Sequence, residues 1–160
     1  MKALTPKAGG FGEAVVGTGD YIYAIRGYTT GFCQFWKYSP GGNSWSSIME
    51  WSPDDPIPRP KNGASLAWDQ GNYVYILLGA SYADSNRRYF YRYSIPVNGW
   101  ERLSDTPSPQ GAGNALTWAG YDGSFYAFIG SKDHGTVFAH YLAGADTWEL
   151  LPSTWTPTDD

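Results

Sequence analysis

Hydrophobic and polar residues follow the same order three times along the chain, with a period of about 50 residues. Each copy opens with small and apolar residues at alternate positions. A short turn follows, and it contains glycine beside aspartate or asparagine, a combination that suits tight hairpins. An apolar run ending in glycine comes next, and then a polar loop of variable length. The copies begin at Gly12, Gly63 and Gly113, and their apolar runs end at Gly27, Gly79 and Gly130.

The second half of each copy carries a tyrosine followed seven positions later by a tryptophan. The order of apolar runs and turns predicts four short strands per copy, about twelve in all, and no regular helix. The run from Val74 to Leu78 is apolar or aromatic throughout, which indicates a strand with both faces covered. The tyrosine and tryptophan that are seven positions apart are Tyr38 and Trp45 in the first copy, Tyr93 and Trp100 in the second, and Tyr141 and Trp148 in the third.

An apolar strand ending in glycine, followed by a tyrosine, six residues and a tryptophan, resembles the kelch repeat of β-propellers. The resemblance covers residues 12 to 152, although a single glycine stands where the family has two. It implies an all-β fold in which the whole chain, 1–160, is one unit of four-stranded antiparallel blades. The blades are predicted at 12–62, 63–112 and 113–155, and the first strand of each is innermost, which fits the small residues found there.

Three blades are too few for a closed ring, because propellers typically close with about 4 to 8 blades. The outer faces of the first and third blades would stay open, and soluble monomers avoid such apolar surfaces. The chain begins in phase with a first strand and ends in phase after a fourth. We therefore expect a second copy to complete six blades with two-fold symmetry. Half of a longer natural propeller and a head-to-tail filament are the alternatives.

The expected assembly interface lies on the outer faces of the first and third blades. Arg26 stands where the sister strands have Leu78 and Ile129, so it either pairs across the joint or lays its stem on apolar surface. The candidate interface residues are Ile22, Ala24, Arg26, Phe128 and Phe138.

Strand direction alternates within a blade, so the second-to-third and blade-to-blade connections share one face of the disc. These connections vary in length and sequence, which predicts that this variable-loop face binds a ligand or partner. Solvated loop polarity is the competing interpretation of its charges. The opposite mouth carries Trp68 and Trp118, which either stack on sugar rings or bases or pack at blade ends. The candidate ligand-binding residues are Trp51, Arg59, Tyr82, Arg87, Arg88, Lys132 and His134.

Composition and charge exclude several classes of protein. The net charge is −4, without a basic run, which argues against nucleic-acid binding. The apolar runs are far shorter than the roughly 18 residues of a membrane helix, and the first residues do not form a signal peptide, so cytoplasmic location is the default expectation. Cys33 is the single cysteine, and Asp54 with Asp55 lacks a third acidic ligand, so neither a metal nor a cofactor is expected.

A protein- or ligand-binding scaffold is the favoured function, because no combination of nucleophile, base and orienting group stands out. The kelch resemblance implies an alternative, a carbohydrate-active propeller enzyme or lectin. The copper-radical oxidases of that kind need two histidines and a Tyr–Cys pair, whereas His134 and His140 both lie in one copy. A site similar to that of sialic-acid epimerases, using Arg59 and His134, stays open. A structural subunit of a polymeric assembly is the third class.

Overall fold

Twelve strands account for most of the residues that the computed structural model describes, which are 12–29, 32–52, 55–80, 86–131 and 135–152. No helix occurs within these ranges. The strands form three four-stranded antiparallel sheets in chain order, so the predicted all-β architecture is confirmed at this level. The first sheet contains β1 (Ala14–Gly17), β2 (Ile22–Thr29), β3 (Phe32–Ser39) and β4 (Ser44–Trp51). The second contains β5 (Ser65–Trp68), β6 (Tyr73–Leu77), β7 (Phe90–Ser94) and β8 (Gly99–Arg102). The third contains β9 (Ala115–Ala119), β10 (Ser124–Ser131), β11 (Gly135–Leu142) and β12 (Thr147–Leu151).

The seven-residue spacing from tyrosine to tryptophan is a cross-strand pair in all three sheets. Each tyrosine lies directly opposite its tryptophan across the hairpin between the third and fourth strands. The tyrosine hydroxyl donates to the side-chain oxygen of an asparagine or aspartate five positions later, at 2.6 to 2.8 Å. These acceptors have φ between 46° and 54°, a region that Asn and Asp tolerate better than most residues. The acceptors are Asn43, Asn98 and Asp146.

The hydrophobic core lies in two joints, the first between the first and second sheets and the second between the second and third. The middle sheet is buried on both faces. Val74 and Ile76 point into the first joint, while Tyr75 and Leu77 point into the second, and all four are almost fully buried. This alternation accounts for the apolar character of β6 at every position.

The same four-ring aromatic cluster occurs in both joints. In the first joint, Phe35 contacts Tyr93 and Trp100 of the second sheet with ring centroids 5.2 and 5.1 Å apart. In the second joint, Phe90 contacts Tyr141 and Trp148 of the third sheet at 4.9 and 5.0 Å. A tyrosine of the second strand completes each cluster, Tyr23 in the first joint and Tyr75 in the second. The first and second sheets therefore each present a phenylalanine and a tyrosine to the sheet that follows.

The first strands of the three sheets lie next to one another. β1 contacts β5, and β5 contacts β9, so these strands are the inner edge along which the sheets converge. A left-handed glycine precedes each of them, with φ between 77° and 89°. At Gly63 a β-carbon would stand 1.9 Å from the Gly111 carbonyl oxygen. The close approach of two backbones at this position therefore requires glycine.

Replacing Gly63 by alanine should destabilise the protein by about 2 kcal/mol or more, because positive φ and the Gly111 carbonyl both oppose a β-carbon. Gly19 is the matched control, since a β-carbon there would meet nothing within 4 Å and its φ is not positive. Urea unfolding of the two variants measures the difference. Equal midpoints for Gly63→Ala and Gly19→Ala would contradict this account of the joint.

Candidate functional site

Trp51 lies inside the first joint rather than at the surface. Its side chain is 1% exposed, and its ring packs against Phe35 at 6.3 Å and Trp100 at 5.9 Å. A ligand would reach this ring only if the two sheets separated. The placement therefore favours a packing role for Trp51.

The arginines predicted on the variable-loop face are hydrogen-bonded to backbone carbonyls. The Arg87 side chain is buried, and its Nη1 donates to the Arg59 carbonyl at 2.6 Å. Nη1 of Arg88 donates to the carbonyls of Thr106 and Pro107 at 3.1 and 2.6 Å. These acceptors belong to the two connections that join consecutive sheets. Arg87 and Arg88 therefore fasten the β6–β7 connection to the connections between sheets.

Of the other predicted ligand-binding residues, Tyr82, Lys132 and His134 lie outside the residues that the structure describes. Arg59 is brought next to Arg87 by the carbonyl contact above.

Two buried amides near the start of β9 were missed by the sequence analysis. Gln110 is fully buried, and its Oε1 accepts the N–H of Gly79 while its Nε2 donates to the Tyr89 carbonyl, at 2.8 and 2.7 Å. Oδ1 of Asn114 accepts the N–H of Gly130 at 3.2 Å. Each amide thus binds a glycine that ends an apolar run. Sequence position gave no signal for these bonds, because the partners are 31 and 16 residues away.

The predicted interface residues lie on the two outer faces of the sheet stack. Ile22 and Ala24 are half-buried on the outer face of the first sheet. Arg26 is on the same face, where its Nη1 donates to Oε1 of Gln34 at 2.8 Å within its own sheet. On the outer face of the third sheet, the rings of Phe128 and Phe138 stack with centroids 4.9 Å apart.

A cavity of about 280 Å³ opens at the end of the stack where the first strands finish. All three sheets contribute to it, through Gly17, Trp68 and Trp118 among others. This is the mouth opposite the variable-loop face. Its walls are formed by strand ends and by Gln70 of the β5–β6 turn.

Burial, hydrogen bonding and charge set the protonation of the few perturbed groups. Desolvation raises the pKa of the Cys33 thiol to about 12, so it is not a nucleophile at neutral pH. Burial and the hydrogen bond to Asp146 raise the pKa of the Tyr141 hydroxyl. Among the described residues, no group of three or more His, Cys, Asp or Glu side chains is placed to hold a metal ion. Nor does that part of the chain contain a helix long and apolar enough to cross a membrane.

Comparison with known proteins does not assign the chain to a family. No protein-family model matches the chain, and a search of curated proteins returns no match.

Replacing Arg88 by alanine should lower the free energy of unfolding by about 2 kcal/mol, because the carbonyls of Thr106 and Pro107 lose a charged donor. Arg102→Ala is the control. Arg102 pairs with Asp105 at 2.8 Å on the surface, and an exposed pair contributes about 0 to 1 kcal/mol. Guanidinium unfolding checks both variants. Similar stabilities for the two would contradict a structural role for Arg88.

The stabilisation provided by Asp146 should depend on pH. Partial burial raises the pKa of its carboxyl, but hydrogen bonds from the Ser104 N–H and the Tyr141 hydroxyl outweigh burial and lower the pKa below its ordinary value of 3.8. A depressed folded-state pKa contributes stability that is complete above about pH 4 and is lost as the pH falls through the folded-state value. Asp146→Asn retains an acceptor oxygen and lacks the charge, as in the first two hairpins.

We expect the difference in unfolding free energy between the natural protein and Asp146→Asn to shrink as the pH is lowered below about 4. Thermal unfolding at a series of pH values measures it, and the titration of all other carboxyls cancels in the difference. A difference that stays constant between neutral and acidic pH would show that the charge of Asp146 does not stabilise the folded protein.

Proposed function

We propose that the chain is half of a six-bladed, kelch-like β-propeller that a second copy completes, and that the ring serves as a protein- or ligand-binding or structural scaffold. The observation that carries the proposal is the repetition of one joint. We call the face that a sheet turns toward the preceding sheet its leading face, and the opposite face its trailing face. In the part of the chain that the structure describes, no sheet covers the leading face of the first sheet or the trailing face of the third.

Each open face carries half of the four-ring cluster. The leading face of the first sheet has Tyr38 and Trp45, with ring centroids 5.0 Å apart. These are the counterparts of the tyrosine–tryptophan pairs that the second and third sheets bury in the joints. The trailing face of the third sheet has Tyr126 and Phe138, with ring centroids 6.0 Å apart. Bringing these two faces together from two copies would recreate the cluster.

Two exposed apolar side chains also match buried counterparts. Val15 is 67% exposed on the leading face of the first sheet, whereas Leu66 and Leu116 at the same position of the other sheets are buried. Phe128 is 53% exposed on the trailing face of the third sheet, whereas Leu77 at its position is fully buried. Apolar residues at these positions are therefore covered wherever a neighbouring sheet exists.

The trailing face of the third sheet also contains a vacant apolar recess. A cavity of about 110 Å³ there is lined by Ala115, Tyr126, Phe128 and Phe138. In the second joint, the trailing face of the second sheet and Leu116 of the third sheet belong to one hydrophobic core cluster. The counterpart of Leu116 in a second copy is Val15, so this side chain is the expected occupant of the recess.

The glycines before the first strands also differ according to whether another sheet follows. A β-carbon on Gly12 or Gly63 would collide with a carbonyl of the next connection between sheets. Gly113 has the same left-handed backbone, with φ of 89°, but a β-carbon on it would meet nothing within 4 Å among the described residues. The contact missing at Gly113 is the one that a following sheet would supply.

Closed two-fold symmetry satisfies both open faces at once, because each copy offers one leading and one trailing face. Further blades in a longer chain would cover the same two faces, and a contact that does not close would produce a filament. The variable-loop face remains the proposed binding surface of the ring, through its predicted residues other than the buried Trp51 and the carbonyl-bound Arg87 and Arg88. A sugar-binding function is the second candidate, favoured by the tryptophan-lined mouth.

Light scattering at micromolar concentration should report twice the chain mass of 17.6 kDa, which is 35.2 kDa. Val15→Asp and Phe128→Asp should each give the monomer, because burying a carboxylate in this apolar joint costs free energy. Val97→Asp is the control, since Val97 is a 77% exposed turn residue outside both faces, and it should leave the dimer intact. Circular dichroism establishes that each variant retains its strands.

The melting temperature of the natural protein should rise with its concentration, because association stabilises the folded chain. A well-folded 17.6 kDa monomer whose melting temperature is independent of concentration would refute the assembly. Species that grow continuously with concentration would refute the closed ring.

A further inference from the structure

The mouth opposite the variable-loop face has two indole walls that the fold holds in place. Nε1 of Trp68 donates to the Gly71 carbonyl at 3.0 Å, which fixes the orientation of that ring. The ring of Trp118 packs on Phe125 with centroids 4.7 Å apart, and Phe125 is itself fully buried. Gly17 occupies the matching position of the first sheet and leaves its side of the cavity open. The cavity is therefore a preformed recess with rigid aromatic walls.

A donor and an acceptor lie close together at the rim of this cavity. Nε1 of Trp118 is buried and has no hydrogen-bond partner among the described residues, and an unpaired buried donor costs free energy. Oε1 of Gln70 is its polar neighbour across the second joint. A β-carbon on Gly120 would lie 3.4 Å from that Nε1 and 3.5 Å from that Oε1. Because residue 120 is glycine, no β-carbon occupies the space beside these two atoms.

The backbone at Gln70 is held in a conformation that glutamine rarely adopts. Its φ is 59°, and the other described residues of this kind that are not glycine are Asn43, Asn98 and Asp146. Those three accept a tyrosine hydroxyl in the hairpins, which explains their conformation. Gln70 makes no such bond, and its exposed side chain lines the cavity instead. Strain of this kind, of order 1 kcal/mol or more, is typical of functional sites.

We propose that this mouth binds a single pyranose ring of a neutral sugar. The C–H face of a pyranose is apolar and stacks on an indole, while its hydroxyls both donate and accept hydrogen bonds. Those properties match the tryptophan walls, the N–H of Trp118 and the side-chain oxygen of Gln70. A volume of about 280 Å³ lies at the small end of ligand pockets and suits one ring.

Acidic residues in the turns beside the mouth disfavour acidic sugars. Each of the three turns that follow the first strands contains an aspartate, Asp20, Asp69 and Asp122 respectively. Anions would be repelled by these carboxylates, and the whole chain carries a net charge of −4. A neutral hexose is therefore preferred over a uronic or sialic acid. This preference separates the mouth from the epimerase-like site considered for the opposite face.

The inference does not depend on assembly, because one chain supplies the cavity walls. Failure of the two proposals can consequently be told apart. Loss of the dimer with retained sugar binding would count against the ring alone, whereas an intact dimer without sugar binding would count against the mouth alone.

Saturation-transfer NMR with methyl β-D-glucopyranoside and methyl β-D-galactopyranoside tests the proposal on the natural protein. At least one of these glycosides should bind with millimolar affinity, and the saturated protons should lie on one face of its ring. The methyl glycoside of glucuronic acid should bind at least about tenfold more weakly.

Gly120→Ala and Trp118→Phe should each weaken sugar binding by about tenfold or more. The first places a methyl group within 3.5 Å of both the donor and the acceptor, and the second removes the donor while keeping an aromatic ring. Val97→Ser changes an exposed turn residue away from the cavity and should leave binding unchanged. Circular dichroism and light scattering of each variant separate lost binding from lost structure.

Three outcomes would overturn the proposal. The first is the absence of saturation transfer to either neutral glycoside. The second is undiminished binding by Gly120→Ala and Trp118→Phe. The third is tighter binding of the glucuronide, or of adenosine as a flat aromatic probe, than of the neutral glycosides.

Discussion

Aromatic packing between consecutive sheets is the interaction on which the rest of the structure depends. A phenylalanine and a tyrosine from one sheet meet a tyrosine and a tryptophan from the next, as Phe35 meets Tyr93 and Trp100. Aromatic pairs of this geometry stabilise beyond the area that they bury. Because short strands offer little area each, these rings provide much of the contact that makes three small sheets one core. They also define the direction of stacking, since the two halves of the cluster are different.

Polar groups of the connections control how the stacked sheets are held at their margins. Arg88 donates to the connection before the third sheet, and Arg87 donates to the one before the second. Gln110 accepts the N–H of Gly79, at the end of the apolar run beside β6. A buried polar group costs free energy unless it is hydrogen-bonded, so the connections are confined to one arrangement. The same loops that vary in length are thereby anchored by residues that resemble surface charges in the sequence. Only side chains of these loops that do not anchor the connections in this way are available to bind a partner.

The strands and their order could be predicted because they rest on local patterns. The tyrosine and tryptophan of each copy are seven residues apart since they face each other across one hairpin, as Tyr93 faces Trp100. The candidate site was harder to predict. Arg88 and Trp51 appear in sequence as polar and aromatic loop residues, and their partners come from other parts of the chain. The local sequence around a residue indicates neither its burial nor a carbonyl acceptor that is distant in the chain.

By itself the sequence determined the repeat, the four strands of each copy, the two-sided burial of β6 and the class of fold. These features follow from the hydrophobic periodicity, from the turn residues and from steric limits that act within a few residues of chain. Tertiary structure alone decided which charges are free to bind and which are committed to the backbone, as at Arg87, since that depends on what folds against each side chain. It also decided that the ends of β5 and β9 meet around a cavity that Gln70 lines. Residues 50 positions apart in the chain become neighbours only when the sheets converge along their first strands.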